Sequence, residues 1–179
     1  MHYEEFVTAP GLPPVYLDFT TKQLNESSDL ADQYIALKGQ SSPDNYADFY
    51  EFYSSLKVVF VERLVTRSAD VDLAILSKVD ADYNLTMTLD PEVKQRWFPL
   101  GIRAGYQPVF AQANKFVSTQ GRLKYLTPIY QALLDAGKKD VATEWFHANE
   151  DFYHPMAVAK IAKLLGLDQQ AAQVMQERE

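Results

Sequence analysis

Phe116-Val117-Ser118-Thr119-Gln120-Gly121-Arg122-Leu123-Lys124-Tyr125-Leu126-Thr127-Pro128 is the stretch on which two helical patterns converge. Before it, Val109, Phe110, Ala113, Phe116 and Val117 recur at i, i+1, i+4, i+7 and i+8, the apolar stripe of an amphipathic helix. Gly121 then supplies a stop. After it, Thr127-Pro128 reads as an N-cap with proline at the first helical position, and Ile129, Tyr130, Leu133 and Leu134 form the next stripe. An extended segment between the two helices turns Arg122 and Lys124 to one side and Leu123 and Tyr125 back toward the core. Two cations beside a helix N-terminus make a corner suited to an anion.

The charge pattern outside this corner points the same way. No Asp or Glu occurs from Val93 to Leu134, where Lys94, Arg96, Arg103, Lys115, Arg122 and Lys124 fall, leaving 11 of the 17 Lys and Arg to face all 24 acidic residues. A basic centre in an acidic chain suggests a local interaction site. The net charge of −7 and the lack of aromatic-basic modules argue against a nucleic-acid partner.

Helical periodicity extends in both directions from the centre. Stripes are expected from about Asn25 to Lys38, stopped by Gly39, from Ser55 to Arg67, and from about Asp70. Asp90-Pro91 starts a further helix that carries Glu92, Arg96 and Trp97 and is interrupted at Pro99. Lys139 to Glu150 and the run Val158, Ile161, Ala162, Leu164, Leu165 complete the set. Seven or eight short helices without a convincing strand describe an all-α domain. Pro10, Gly11, Pro13 and Pro14 make residues 1–15 a connector, so the domain is expected over 16–179. Tyr46, Phe49, Tyr50, Phe52 and Tyr53 form a dense aromatic loop, read as core or interdomain packing. With no cysteine the chain has no disulfides or thiolate metal sites, and with no apolar run of spanning length it is read as a cytoplasmic monomer away from membranes.

Two metal readings fail on their own chemistry. Asp80, Asp82 and Asn84 alternate like calcium ligands but lack the central glycine and terminal glutamate of an EF-hand. His147, Glu150 and His154 could share a helix face, but Pro155 pushes His154 out of helical geometry and no fourth ligand is evident.

The run Phe116-Val117-x-x-Gln120-Gly121-Arg122-x-Lys124-Tyr125-x-x-Pro128-x-Tyr130-x-x-Leu133 resembles the C-terminal domain of the leukotriene A hydrolase and aminopeptidase B group of zinc aminopeptidases. Pro10-Gly11-Leu12-Pro13-Pro14, Glu92-x-x-x-Arg96-Trp97 and Tyr153-His154-Pro155-Met156 resemble further parts of it in the same order. The resemblance implies an armadillo- or HEAT-like α-α superhelix that closes one side of an active-site cleft. It implies that Arg122, with Lys124, receives the C-terminal carboxylate of short peptides. It also implies that zinc and the catalytic groups come from an upstream part, because the His-Glu-x-x-His motif is absent here. By this reading the chain has no catalytic or metal-ligating residue of its own and is inactive alone, its partners being its own N-terminal and catalytic domains. The alternative is a free-standing helical-repeat module that binds a protein partner without chemistry.

Overall fold

A computed structural model describes residues 7, 8, 10 and 20–167. Most of the Pro-rich opening and the Gln-rich end therefore lie outside the described residues. Within them the secondary structure is helical throughout: α1 (Lys22–Ala36), α2 (Asp48–Glu51), α3 (Ser54–Thr66), α4 (Leu73–Tyr83), α5 (Pro91–Ala104), α6 (Pro108–Val117), α7 (Leu123–Asp135), α8 (Lys139–His147) and α9 (Pro155–Leu165). Single 3-10 turns, Ser68–Asp70 and Leu85–Met87, precede α4 and α5. The all-α expectation holds. The short α2, which spans four residues of the aromatic loop, takes the count past the expected seven or eight.

Many boundaries follow from local chemistry. Thr21 accepts from the Leu24 N–H at 3.2 Å to open α1, and Asp72 accepts from Ile75 at 2.9 Å to open α4. Asp90 accepts from Glu92 at 2.8 Å, with Pro91 at the first helical position of α5. Each such cap is worth about 1 kcal/mol. Gly105 and Gly166 close α5 and α9 in the left-handed conformation.

The helices form two layers. Each odd-numbered helix packs on the next odd-numbered one, α1 on α3, α3 on α5, α5 on α7 and α7 on α9. Helix α6 returns the chain between α5 and α7, α8 between α7 and α9, and α4 packs against α1. Because each odd helix is followed by a return, the odd helices run in one direction, and the N-termini of α3, α5, α7 and α9 share one edge. The core between the layers is aromatic: Trp97, Tyr34, Tyr130, Phe60 and Phe98 are fully buried, and burial of a large apolar side chain contributes roughly 1.5–3 kcal/mol. Phe49 stacks on Tyr83 at 4.0 Å between centroids, so the aromatic loop does send one ring into the core.

Ion pairs stitch the odd layer at a spacing that the residue types do not advertise. Arg63 of α3 donates two bonds to Asp32 of α1, Arg96 of α5 reaches Glu62 of α3, and Lys124 of α7 reaches Glu92 of α5. The separations along the chain are 31, 34 and 32 residues, with the base always on the later helix.

Three expectations are corrected. Helix α7 begins at Leu123, not Pro128: the extended Arg122 (φ −83°, ψ 128°) is its N-cap residue, and its carbonyl accepts from Tyr125 and Leu126. Pro128 therefore lies inside α7, where it removes one helical donor. Burial of Tyr125, Leu126, Ile129 and Tyr130 along one face outweighs that loss. Pro99 likewise does not interrupt α5, which runs unbroken from Pro91 to Ala104 with Pro99 buried. Finally, α1 opens at Lys22 rather than Asn25 because Thr21 supplies the cap.

Candidate functional site

The edge formed by the N-termini of α3, α5, α7 and α9 collects the residues that the sequence singled out. Arg122 stands at the tip of α7 with its side chain exposed, and among the described residues its guanidinium makes no hydrogen bond or ion pair. An arginine has no acceptor and cannot cap its own helix, so no side chain caps the first turn of α7. The free N–H groups of this helix end thus follow directly on the residue that carries an unpaired guanidinium.

Lys124 is placed differently from the sequence expectation. In the second helical position, where residues two apart diverge, it sets its Nζ 2.7 and 2.8 Å from the two carboxylate oxygens of Glu92. The Tyr125 hydroxyl donates to Glu92 Oε1 at 2.9 Å, and Arg96 Nη1 lies 3.6 Å from Oε2. The Lys124 contact, opposed by burial and aided by the Tyr125 hydroxyl, holds the Glu92 carboxyl below the ordinary glutamate range. Arg122 and Lys124 therefore do not project from one face.

The other basic residues of the centre divide in two. Arg96 is taken up by Glu62 and Glu92, and Arg103 by Asp135 at 2.8 Å. Lys94 is half-buried over the Phe116 ring, 5.4 Å from its centroid, and burial together with the nearby Lys115 pulls its ammonium below the ordinary lysine value. The acid-free stretch is thus answered by carboxylates that lie outside it in sequence.

The loop before Arg122 is held from the α8–α9 side. The Tyr153 hydroxyl donates to the Val117 carbonyl at 3.0 Å, capping the last turn of α6, and lies 3.0 Å from the Tyr130 hydroxyl. Since Tyr153 gives its only proton to Val117, Tyr130 must be the donor in that second bond. The Phe152 ring comes within 3.9 Å of where a Cβ on Gly121 would stand. Tyr53, Leu89 and Phe152, in the loops that lead into α3, α5 and α9, are exposed, Leu89 by 91%. Neither Glu92 nor Tyr153 was singled out as a site residue. Their partners lie 32 and 36 residues away, so no local spacing signals them.

The metal alternatives find no geometry. Asp80 accepts from the Thr86 N–H and hydroxyl and from Tyr106, while Thr86 accepts from the Trp97 indole at 3.1 Å. Asp82 accepts from Tyr34 and Lys78. His147 pairs with Glu150 at 3.1 Å, and His154 Nδ1 accepts from the Met156 N–H to open α9. Among the described residues no group of three or more His, Cys, Asp or Glu side chains could hold a metal ion, and no helix is long and apolar enough to cross a membrane.

Comparison with known proteins adds the family. The sequence model described as leukotriene A4 hydrolase, C-terminal, matches residues 52–165. Leucine aminopeptidase 2 of Ajellomyces capsulatus is 30% identical over 162 residues, and that of Neosartorya fischeri 28% over 163, covering 90% and 91% of this chain and 26% of each relative. Leucine aminopeptidase 2-2 of Scheffersomyces stipitis is 28% identical over 178 residues, 92% of this chain and 28% of that protein. The chain spans about a quarter of the length of these relatives. With an all-helical fold and a family match over most of its length, the chain belongs to the leukotriene A4 hydrolase C-terminal family, the helical C-terminal domain of an aminopeptidase family protein.

Proposed function

We propose that this domain closes one side of the active-site cleft of a zinc aminopeptidase and that Arg122 receives the C-terminal carboxylate of short peptides. The observation that carries the reading is the exposed, unpaired guanidinium of Arg122 at the uncapped tip of α7. An arginine fork takes a carboxylate in two parallel charge-assisted bonds, and a cation fixed at one end of a cleft selects short substrates by their free C-terminus. Residues 1–15 serve as the connector from the catalytic part, and 16–179 as the domain. Exposed Tyr53, Leu89 and Phe152 on the same edge support its packing against that part. The relatives' names describe aminopeptidases, which supports peptides as substrates. The described residues hold no set that fits zinc, so in this reading the metal and the groups around it belong to the catalytic part. Lys124, paired with Glu92, is not free to bond the substrate directly and has the lesser role in this reading.

The test joins this domain to its catalytic part and compares a tripeptide with its C-terminal amide. Wild type should prefer the free acid. Arg122→Ala should lose that preference, with a fall in kcat/KM on the acid of roughly 30- to 1,000-fold. A variant that keeps the preference, or loses activity equally on both substrates, refutes the role.

A further inference from the structure

Lys57, Lys94 and Lys138 each stand over an aromatic ring, with the ammonium 5.4, 5.4 and 5.3 Å from the centroids of Phe49, Phe116 and Phe110. Of these rings, that of Phe116 alone has a lysine, Lys115, as its neighbour in sequence. It is also firmly held: Phe116 is buried and packs edge-on against Phe98 of α5 and Tyr125 of α7, with centroids 5.9 and 5.6 Å away. Lys94, in the first turn of α5, lies half-buried on this platform, and among the described residues its side chain makes no hydrogen bond or ion pair. By contrast Lys22, Lys78 and Lys124 are tied to the carboxylates of Glu26, Asp82 and Glu92 at 3.1, 2.8 and 2.7 Å. An ammonium drawn partly out of water, with no counter-ion and a second cation nearby, gives up its proton more readily, and the free amine is a nucleophile. Burial first and Lys115 second hold the Lys94 ammonium below the ordinary lysine value.

We propose that Lys94 is a modification site, the lysine of this chain that reacts first with activated acyl groups. In that step water takes one proton from the ammonium, and the lone pair of Nζ attacks the acyl carbonyl carbon. The new N–C bond forms as the bond to the leaving group breaks. The leaving group, a carboxylate, phosphate or thiolate, departs with the electron pair, and Nζ loses a second proton to water to give a neutral amide. The product suits the site as well as the nucleophile does. Acylation of Lys78 or Lys124 strands the carboxylate that each one pairs. At Lys94 it gives up a cation–π contact but removes a half-buried charge that has no partner, and it leaves the amide lying on the face of the Phe116 ring.

The experiment labels the full chain with a trace of acetic anhydride, an uncharged acyl donor, near neutral pH, and reads the relative rate at each lysine by digestion and mass spectrometry. Lys94 should be acetylated at least about threefold faster than Lys57 and Lys138, which stand over rings without a lysine next to them in sequence. In concentrated urea, where the ring and the burial are gone, the three rates should agree within about twofold. Lys115→Gln, at an exposed position, should slow Lys94 by roughly twofold to fivefold relative to Lys57 and Lys138, and by less at high salt. Taking each rate as a ratio within one sample cancels differences in reagent and in folded fraction. A Lys94 labelled no faster than Lys57 and Lys138 overturns the proposal, because burial then shields the amine instead of activating it. So does a preference that survives urea, which would belong to local sequence and not to the fold. So does a Lys94 ratio that Lys115→Gln leaves unchanged.

Discussion

Replacing the Tyr153 hydroxyl should be far more damaging than replacing that of its partner Tyr130, although the two share one hydrogen bond. Both rings are buried, at 4% and 0% exposure, and phenylalanine preserves their shape, so the cavity left is small. Burial pushes both phenols above their ordinary pKa, so both are neutral donors at all ordinary pH. In Tyr153→Phe the Val117 carbonyl loses its cap and the Tyr130 O–H is left as a buried donor without a partner. One lost bond at about 1 kcal/mol and one stranded donor at about 1–3 kcal/mol sum to about 2–4 kcal/mol. For a domain of this size that is a fall in Tm of roughly 5–12 °C. In Tyr130→Phe, Tyr153 still caps Val117 and loses only a bond that it accepts, so the cost should be about 1 kcal/mol. The double variant should be no worse than Tyr153→Phe, since removing the second hydroxyl also removes the stranded donor. Urea and thermal unfolding followed by circular dichroism measure all three. If Tyr130→Phe costs as much as Tyr153→Phe, or the double variant shows the plain sum, the donor order and the capping of α6 by Tyr153 are wrong.

Two further outcomes are expected of the domain alone. Gly39→Ala should cost clearly more than Gly105→Ala: both glycines have positive φ, 70° and 75°, but a Cβ at Gly39 would stand 2.4 Å from the Ala74 carbonyl carbon while at Gly105 it meets nothing. The φ penalty, roughly 1–2 kcal/mol, is common to both, so the difference in urea midpoint reads the close approach of the loop to α4. The second concerns acid. Arg63 and then Arg67 hold the Asp32 carboxyl below its ordinary value, Lys124 does so for Glu92, and Gln131 with Arg103 for Asp135. Such groups bind fewer protons folded than unfolded, so their contribution is complete above the unfolded carboxylate pKa of about 4 and is lost as pH falls below it. Asp32→Asn should therefore cost at most about 1 kcal/mol near neutral pH and flatten the acid limb of the stability profile. An unchanged acid limb would show that the Asp32 pair contributes nothing.

Much of the fold was legible because short-range chemistry and burial agree. Asp90-Pro91 and Gly166 mark real helix ends, and the stripe through Val109, Ala113, Phe116 and Val117 faces the core. Where they disagree, burial wins. Pro128 invites a helix start, but Tyr125 and Leu126 before it and Ile129 and Tyr130 after it, all buried, hold one continuous helix from Leu123. That shift of five residues also undid the shared face of Arg122 and Lys124, since positions two apart share a face in a strand and diverge on a helix. The exposed arginine was legible. The carboxylate that claims the lysine was not, because it arrives from a neighbouring helix.

Three of the ion pairs of the odd layer share a direction, while Arg103 of α5 with Asp135 of α7 runs the opposite way. Each of α3 and α5 presents a base to the helix before it and an acid to the helix after it, in the manner of a plug and a socket. A stack keyed in this way is a head-to-tail polymer of helix pairs within one chain, even though no side-chain motif repeats. Gene duplication or loss of one pair, cut at about the same 32-residue interval, would bring a plug against a socket at the new junction. Domains of this design can therefore lengthen or shorten by whole units while each remaining contact of this kind stays matched.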